Sequence, residues 1–138
     1  MKIFKITELK ESDHRLILVR KVEDLQGLIS DKKQIRYVED RFAAGKESAQ
    51  INLLDHQLFF RKLEEENSSI YERLEKARTA AHSLHGTIND LDISRLIIVN
   101  AGVSPEESIA FAEGLALSGY QFLKYKTGDQ HKANALQE

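Results

Sequence analysis

His82 and His85 stand three residues apart in LEKARTAAHSLHGTIND, a spacing that puts both on one helix face within reach of a single metal ion. Asp90 or Asp92 could add a third ligand. The pattern lacks the carboxylate of an HExxH zinc helix, however, and the two histidines sit differently. His85 falls beside an apolar stripe next to Leu84, whereas His82 falls on the more polar side. Two histidines do not make a site, so the pair reads as structural or surface residues and no metal is assigned.

Other short strings imitate chemistry without completing it. Ser30-Asp31-Lys32-Lys33 and Lys126-Thr127-Gly128 match the S-x-x-K and K-T-G strings of serine acyl transferases, but the Ser-Asp-Asn element between them is absent. Gly114 and Gly119 have the outer spacing of a phosphate loop, yet Tyr120-Gln121 replace its Lys-Ser/Thr pair. Helix packing at Gly114 and a helix stop at Gly119 explain the two glycines better. The acidic run Glu64-Glu65-Glu66 has no apolar surroundings to shift a pKa and reads as a solvated connection. Asn100-Ala101-Gly102 is a different case. It follows an apolar strand, where α/β folds collect ligands, and looks like part of the ADP-ribose-binding loop of macro domains. Against a bound phosphate, the next helix opens with Glu106 and Glu107.

Composition narrows the class. With 138 residues, 41% apolar and 30% charged, the chain has the makings of one soluble globular domain. Its longest apolar runs, at Leu16–Val19 and Leu96–Val99, fall far short of the ~20 residues that cross a bilayer. The N-terminus lacks a signal-peptide core, and the absence of cysteine excludes disulfides and thiolate metal sites. A cytoplasmic protein is the simplest expectation. The net charge of -2 offers no general attraction to nucleic acid or anionic lipid. The local cluster Lys32, Lys33 and Arg36 is balanced by Glu39 and Asp40, as on a solvated helix face.

The elements that must carry these residues follow from pattern. Leu16–Val19 and Leu96–Val99 read as strands buried on both faces, the signature of interior strands covered by helices. Ile3–Ile6 reads as a short first strand, and Ile51–Leu54 and Leu58–Phe60 as an antiparallel pair joined through Asp55-His56-Gln57. A first helix spans about Asp31 to Ala44, with Ile35, Val38 and Phe42 inward and Gly45 as its stop. A second starts at Ser69 with Glu72 completing a capping box, and its stripe is Ile70, Leu74, Ala77, Ala81, Leu84 and Ile88. A third starts at Ser104, with Pro105 at the first position and Glu107 three after the cap. Ile109, Ala112, Leu115 and Ala116 should form its buried face, and Gly119 should end it. Interleaved strands and helices predict an α/β domain with a mixed sheet sandwiched between helices.

One segment carries more than local physics. In SPEESIAFAEGLALSGYQFLKYKT, the residues Glu113, Gly114, Leu115, Leu117, Tyr120, Phe122, Tyr125 and Lys126 resemble the close of the N-terminal domain of leucyl aminopeptidases, the two-zinc cytosol aminopeptidases. Leu74-Glu75-Lys76-Ala77-Arg78-Thr79-Ala80-Ala81 is similar to an arginine-led, small-residue helix of that domain. Met1 to Glu66 matches only in its order of elements. The resemblance implies a three-layer, macro-domain-like fold over residues 1–127, with 128–138 beginning a linker to a catalytic domain. It implies a parent that removes N-terminal residues from peptides using two divalent ions, zinc or manganese, held by that other domain. The NTDAEGR motif of the family's catalytic domain does not occur here, so no catalytic, cofactor-binding or metal-binding residue is carried over. The implied partners are the chain's own catalytic domain and a homo-hexameric parent, with Tyr120, Phe122, Tyr125 and Lys126 as candidate interdomain contacts; neither a membrane nor nucleic acid is expected. The alternative is a free-standing macro-like module that binds a nucleotide or ADP-ribose through Asn100, Ala101 and Gly102.

Overall fold

In a computed structural model, the described residues are 3, 5–6, 8–63, 69–125, 136 and 138, with the backbone alone for 119–125. Four strands form one mixed sheet: β1 (Arg15–Val19), β2 (Ser48–Asn52), β3 (Gln57–Lys62) and β4 (Ile97–Ala101), in the order β2-β3-β1-β4. β1 runs parallel to both β3 and β4, pairing Leu16 with Phe59 and with Ile98, while β2 and β3 are antiparallel. Three helices complete the fold: α1 (Lys32–Ala43), α2 (Ile70–Asp90) and α3 (Pro105–Tyr125).

The uninterrupted apolar run of β1 has its cause in this topology. Successive side chains point to opposite faces, and both faces are covered. Leu16 and Leu18 join Phe59, Ala77, Ala81, Ile88, Phe111 and Leu115 on the α2/α3 side. Ile17 and Val19 join Val38, Phe42, Leu58 and Phe60 on the α1 side. Each fully buried side chain of this size contributes about 1.5–3 kcal/mol. Helices thus lie on both faces of the sheet, as the interleaved pattern predicts.

All three predicted helix starts are present. Asp31 accepts from the Lys33 and Gln34 amides, Ser69 from Glu72 N at 3.3 Å, and Ser104 from Glu107 N at 3.3 Å. Gly45, at φ 85°, closes α1, with Gly45 N bonded to Phe42 O and Lys46 N to Arg41 O at 3.1 Å each. This is a Schellman stop, whose left-handed residue favours glycine.

Several expectations are corrected. Ile3, Lys5 and Ile6 lie outside any strand, and Ile3 is half exposed. Phe4 lies outside the described residues. β2 begins at Ser48 and stops at Asn52, because Asn52 pairs with Gln57 and the turn occupies Leu53–His56. Leu54 sits there at φ 72° and is 94% exposed. A 3-10 turn at Val22–Leu25 was not predicted. α3 does not end at Gly119 but runs on to Tyr125. Its buried face is Glu107, Ala110, Phe111, Gly114, Leu115 and Ser118, whereas Ile109 is 56% exposed. Finally, β4 borders only β1 among the described strands, so its interior-strand composition stands at an edge.

Candidate functional site

The parallel strands β1, β3 and β4 end together, and open α/β sheets bind ligands beyond such ends. Arg20 directly follows β1, Leu63 follows β3 and Gly102 follows β4. Here this chain's own side chains occupy the junction. The Arg20 guanidinium donates to the Leu63 carbonyl at 3.2 Å and forms a tight ion pair with Glu107. Glu107 is 1% exposed, and its Oε1 also accepts from Ser104 Oγ at 3.0 Å. One carboxylate therefore completes the cap of α3 and neutralises an arginine from the central strand.

The Asn100-Ala101-Gly102 loop is equally engaged. Asn100 Oδ1 accepts from Ser108 Oγ, and the Ala101 carbonyl accepts from Arg20 N at 3.3 Å. Gly102 has φ 80°, and a Cβ there would stand 2.3 Å from Asp24 Oδ2. The Asp24 carboxylate beside Gly102 and Glu106 in the first turn of α3 oppose an anion there, while Glu107 is already paired with Arg20.

Beside this junction, between the end of β3 and α2, lies a recess of about 500 Å3. Arg61, Lys62, Arg73 and Lys76 line it with Glu47 and Glu107. Arg61 pairs with Glu47 at 3.0 Å, and Lys62 stands 5.9 Å from the centre of the Phe42 ring. The acidic run Glu64, Glu65 and Glu66 lies outside the described residues.

The histidines do not converge. His82 Nδ1 lies 2.9 Å from Ser118 Oγ on α3, whereas His85 points inward and is 7% exposed. Burial, reinforced by His82, holds His85 below its ordinary value of 6.5. Asp90 ends α2, and Asp92 lies in the following turn at φ 53°. Among the described residues no three histidine or carboxylate side chains form a metal-binding group. Asp31 of the S-x-x-K string caps α1, which accounts for that string as a helix start. Lys32, Lys33 and Arg36 are exposed on α1. Tyr120, Phe122 and Tyr125 fall within the last turns of α3, where only the backbone is described; Lys126, Thr127 and Gly128 lie outside the described residues.

The two segments that carry the aminopeptidase resemblance meet at one helix crossing. Gly114 lies against α2 so closely that a Cβ would stand 2.7 Å from the Arg78 carbonyl oxygen and 2.9 Å from Ala81 Cβ. Alongside, Arg78 pairs with Glu113 at 3.3 Å. Sequence reasoning missed the Arg20–Glu107 pair and the basic recess. A glutamate three residues after a serine cap was legible, but an arginine partner 87 residues away leaves no local trace. No protein-family model, curated protein or solved structure matches the chain. No described helix is long and apolar enough to cross a membrane.

Proposed function

We propose that this chain is the non-catalytic N-terminal domain of a cytoplasmic leucyl aminopeptidase, with a three-layer, macro-like fold. The parent enzyme would hydrolyse N-terminal residues from peptides by metal-assisted attack of water on the amide carbonyl, with both metal ions held by a separate catalytic domain. This domain's own task is to pack on that catalytic domain, shape access to it or support a homo-hexamer. The observation that carries the reading is the crossing of α2 and α3. There Arg78 pairs with Glu113 and Gly114 lies against Arg78 and Ala81, residues drawn from two separated stretches of the resemblance. The close approach of the two helices requires the small residues at Ala81 and Gly114, with the Arg78–Glu113 pair alongside. The rival, nucleotide or ADP-ribose binding through Asn100–Gly102, has the Asp24 carboxylate beside Gly102 and Glu106 in the first turn of α3 against it.

The purified chain, supplied with zinc or manganese, should show no hydrolysis of leucine amide. Robust metal-dependent turnover would overturn the assignment. The coding sequence beyond Glu138 gives a second test: the reading expects roughly 300 further residues, more than an ordinary single domain, carrying the zinc-ligand motif.

A further inference from the structure

The carboxyl ends of β1 and β3 lie side by side, but the chain leaves them to opposite faces of the sheet. After β1 it leads to α1, on the side of Ile17 and Val19. After β3 it leads to α2, on the side of Leu16 and Leu18. Such a parting of adjacent parallel strands opens a crevice, the place where open α/β sheets take ligands. The recess of about 500 Å3 lies on the α2 side of this crevice. Its volume is in the range of small-molecule sites.

The charge of the recess is one-sided. In β3, Phe59 joins the α2/α3 core and Phe60 the α1 core, so alternation turns Arg61 toward α2 and Lys62 toward α1. Lys62 accordingly lies against Phe42 of α1. On α2, Arg73, Lys76, Ala80 and Ser83 recur at helical spacing and form the other wall. Two carboxylates line the recess, and both are engaged: Glu107 by Arg20, and Glu47 by Arg61 at 3.0 Å. Arg73 has no acidic partner among the described residues. The Nε atoms of Arg61 and Arg73 are both buried, and neither has a hydrogen-bond partner among the described residues. A buried guanidinium N–H without an acceptor is costly, and here it occurs on both walls of one recess.

We infer that this recess binds a small phosphate monoester, with Arg61 and Arg73 as its principal donors. Arginine suits such an oxyanion, because its N–H groups are fixed in a plane and its charge is permanent. Donors set on a strand and a helix approach from two directions, which fits the tetrahedral oxygens of phosphate. A planar carboxylate is satisfied by a single arginine fork. Lys76, three residues on from Arg73, adds positive charge to the same wall, and Leu63 and Ala80 give an apolar surface for the ester's organic part. The site is separate from the Asn100–Gly102 loop, where Asp24 and Glu106 oppose an anion. It goes beyond the aminopeptidase reading and does not depend on it.

Titrating the 138-residue chain with inorganic phosphate and with glycerol phosphate, at constant ionic strength and followed by amide chemical shifts, tests the site. The Leu63, Arg73 and Ala80 amides should shift saturably, with glycerol phosphate bound at least as tightly as phosphate. Arg73→Gln should weaken binding at least about tenfold, the loss expected when a hydrogen bond to a charged group is removed. It should not lower the melting temperature, since arginine and glutamine have similar helix propensities. Lys76→Gln, at an exposed position on the same wall, should weaken binding by a smaller factor. Arg36→Gln, exposed on α1, should leave it unchanged. Absence of saturation up to about 10 mM phosphate would overturn the proposal. So would equal weakening by Arg36→Gln, the mark of an unspecific charge effect. Succinate bound more tightly than glycerol phosphate would assign the recess to carboxylates instead. Phosphate binding gained only when Glu64, Glu65 and Glu66 are all replaced by serine would give the recess to the chain's own acidic run, and would overturn the proposal too. Phosphate binding is read without peptidase chemistry, so its outcome and that of the leucine-amide assay are independent.

Discussion

Glu107 joins a local motif to a long-range one. As the third residue of α3 it accepts from Ser104 Oγ; as a buried anion it neutralises Arg20 at the end of β1. The two side chains are 2% and 11% exposed, so water does little to screen either charge. Removing one partner should therefore cost far more than removing both. Glu107→Gln removes the buried carboxylate that pairs with Arg20 and should destabilise the fold by about 3–5 kcal/mol. The double change Arg20→Met with Glu107→Leu should recover most of that loss, since an apolar pair carries no desolvation penalty. Urea denaturation of Arg20→Met, Glu107→Leu and the double variant measures the coupling. Additive effects would show that the ion pair is not the link between β1 and α3.

At the scale of elements, two helical glycines separate packing from propensity. Gly86 on α2 has open space where a Cβ would go, whereas Gly114 on α3 meets the Arg78 backbone and Ala81. Gly86→Ala should stabilise by about 0.5–1 kcal/mol, the helix-propensity gain. Gly114→Ala has the same propensity gain and should nonetheless destabilise by about 1–3 kcal/mol, because the helices must separate to admit a methyl group. Thermal melts of the two variants should move in opposite directions. The same crossing shows what was legible in the sequence. The starts of all three helices were readable, since caps are local. The buried face of α3 was legible in part: Gly114 was read as a close-packing position and Leu115 as buried, but hydrophobicity selected Ile109 where the packing uses Glu107 and Ser118. Ser118 bonds back to the Gly114 carbonyl at 2.8 Å and meets His82 across the interface. Buried polar positions carry no apolar signal, so periodicity could not find them. For β4 the pattern did read as interior, and the fold leaves it at an edge whose foot is already occupied by Glu138.

The described fold is two cores on opposite faces of one sheet, with β1 at its interior feeding both. Ile17 and Val19 serve the α1 side, Leu16 and Leu18 the α2/α3 side, and no side chain of one face can substitute for the other. Two independent layers would melt separately. β1, however, is hydrogen-bonded on both edges and buried on both faces, so neither layer can lose it and persist. Ile17→Ala and Leu18→Ala, neighbours facing opposite cores, should each lower stability by about 2–5 kcal/mol. Each should also preserve a single transition, as expected of one cooperative domain. Following the amides of Val38 on α1 and Ala81 on α2 through urea unfolding checks this, because each reports on a different layer. Coincident midpoints in both variants are expected. A Val38 midpoint that fell with Ile17→Ala while that of Ala81 stayed in place would mean that α1 is an accessory layer on a fold held by α2 and α3.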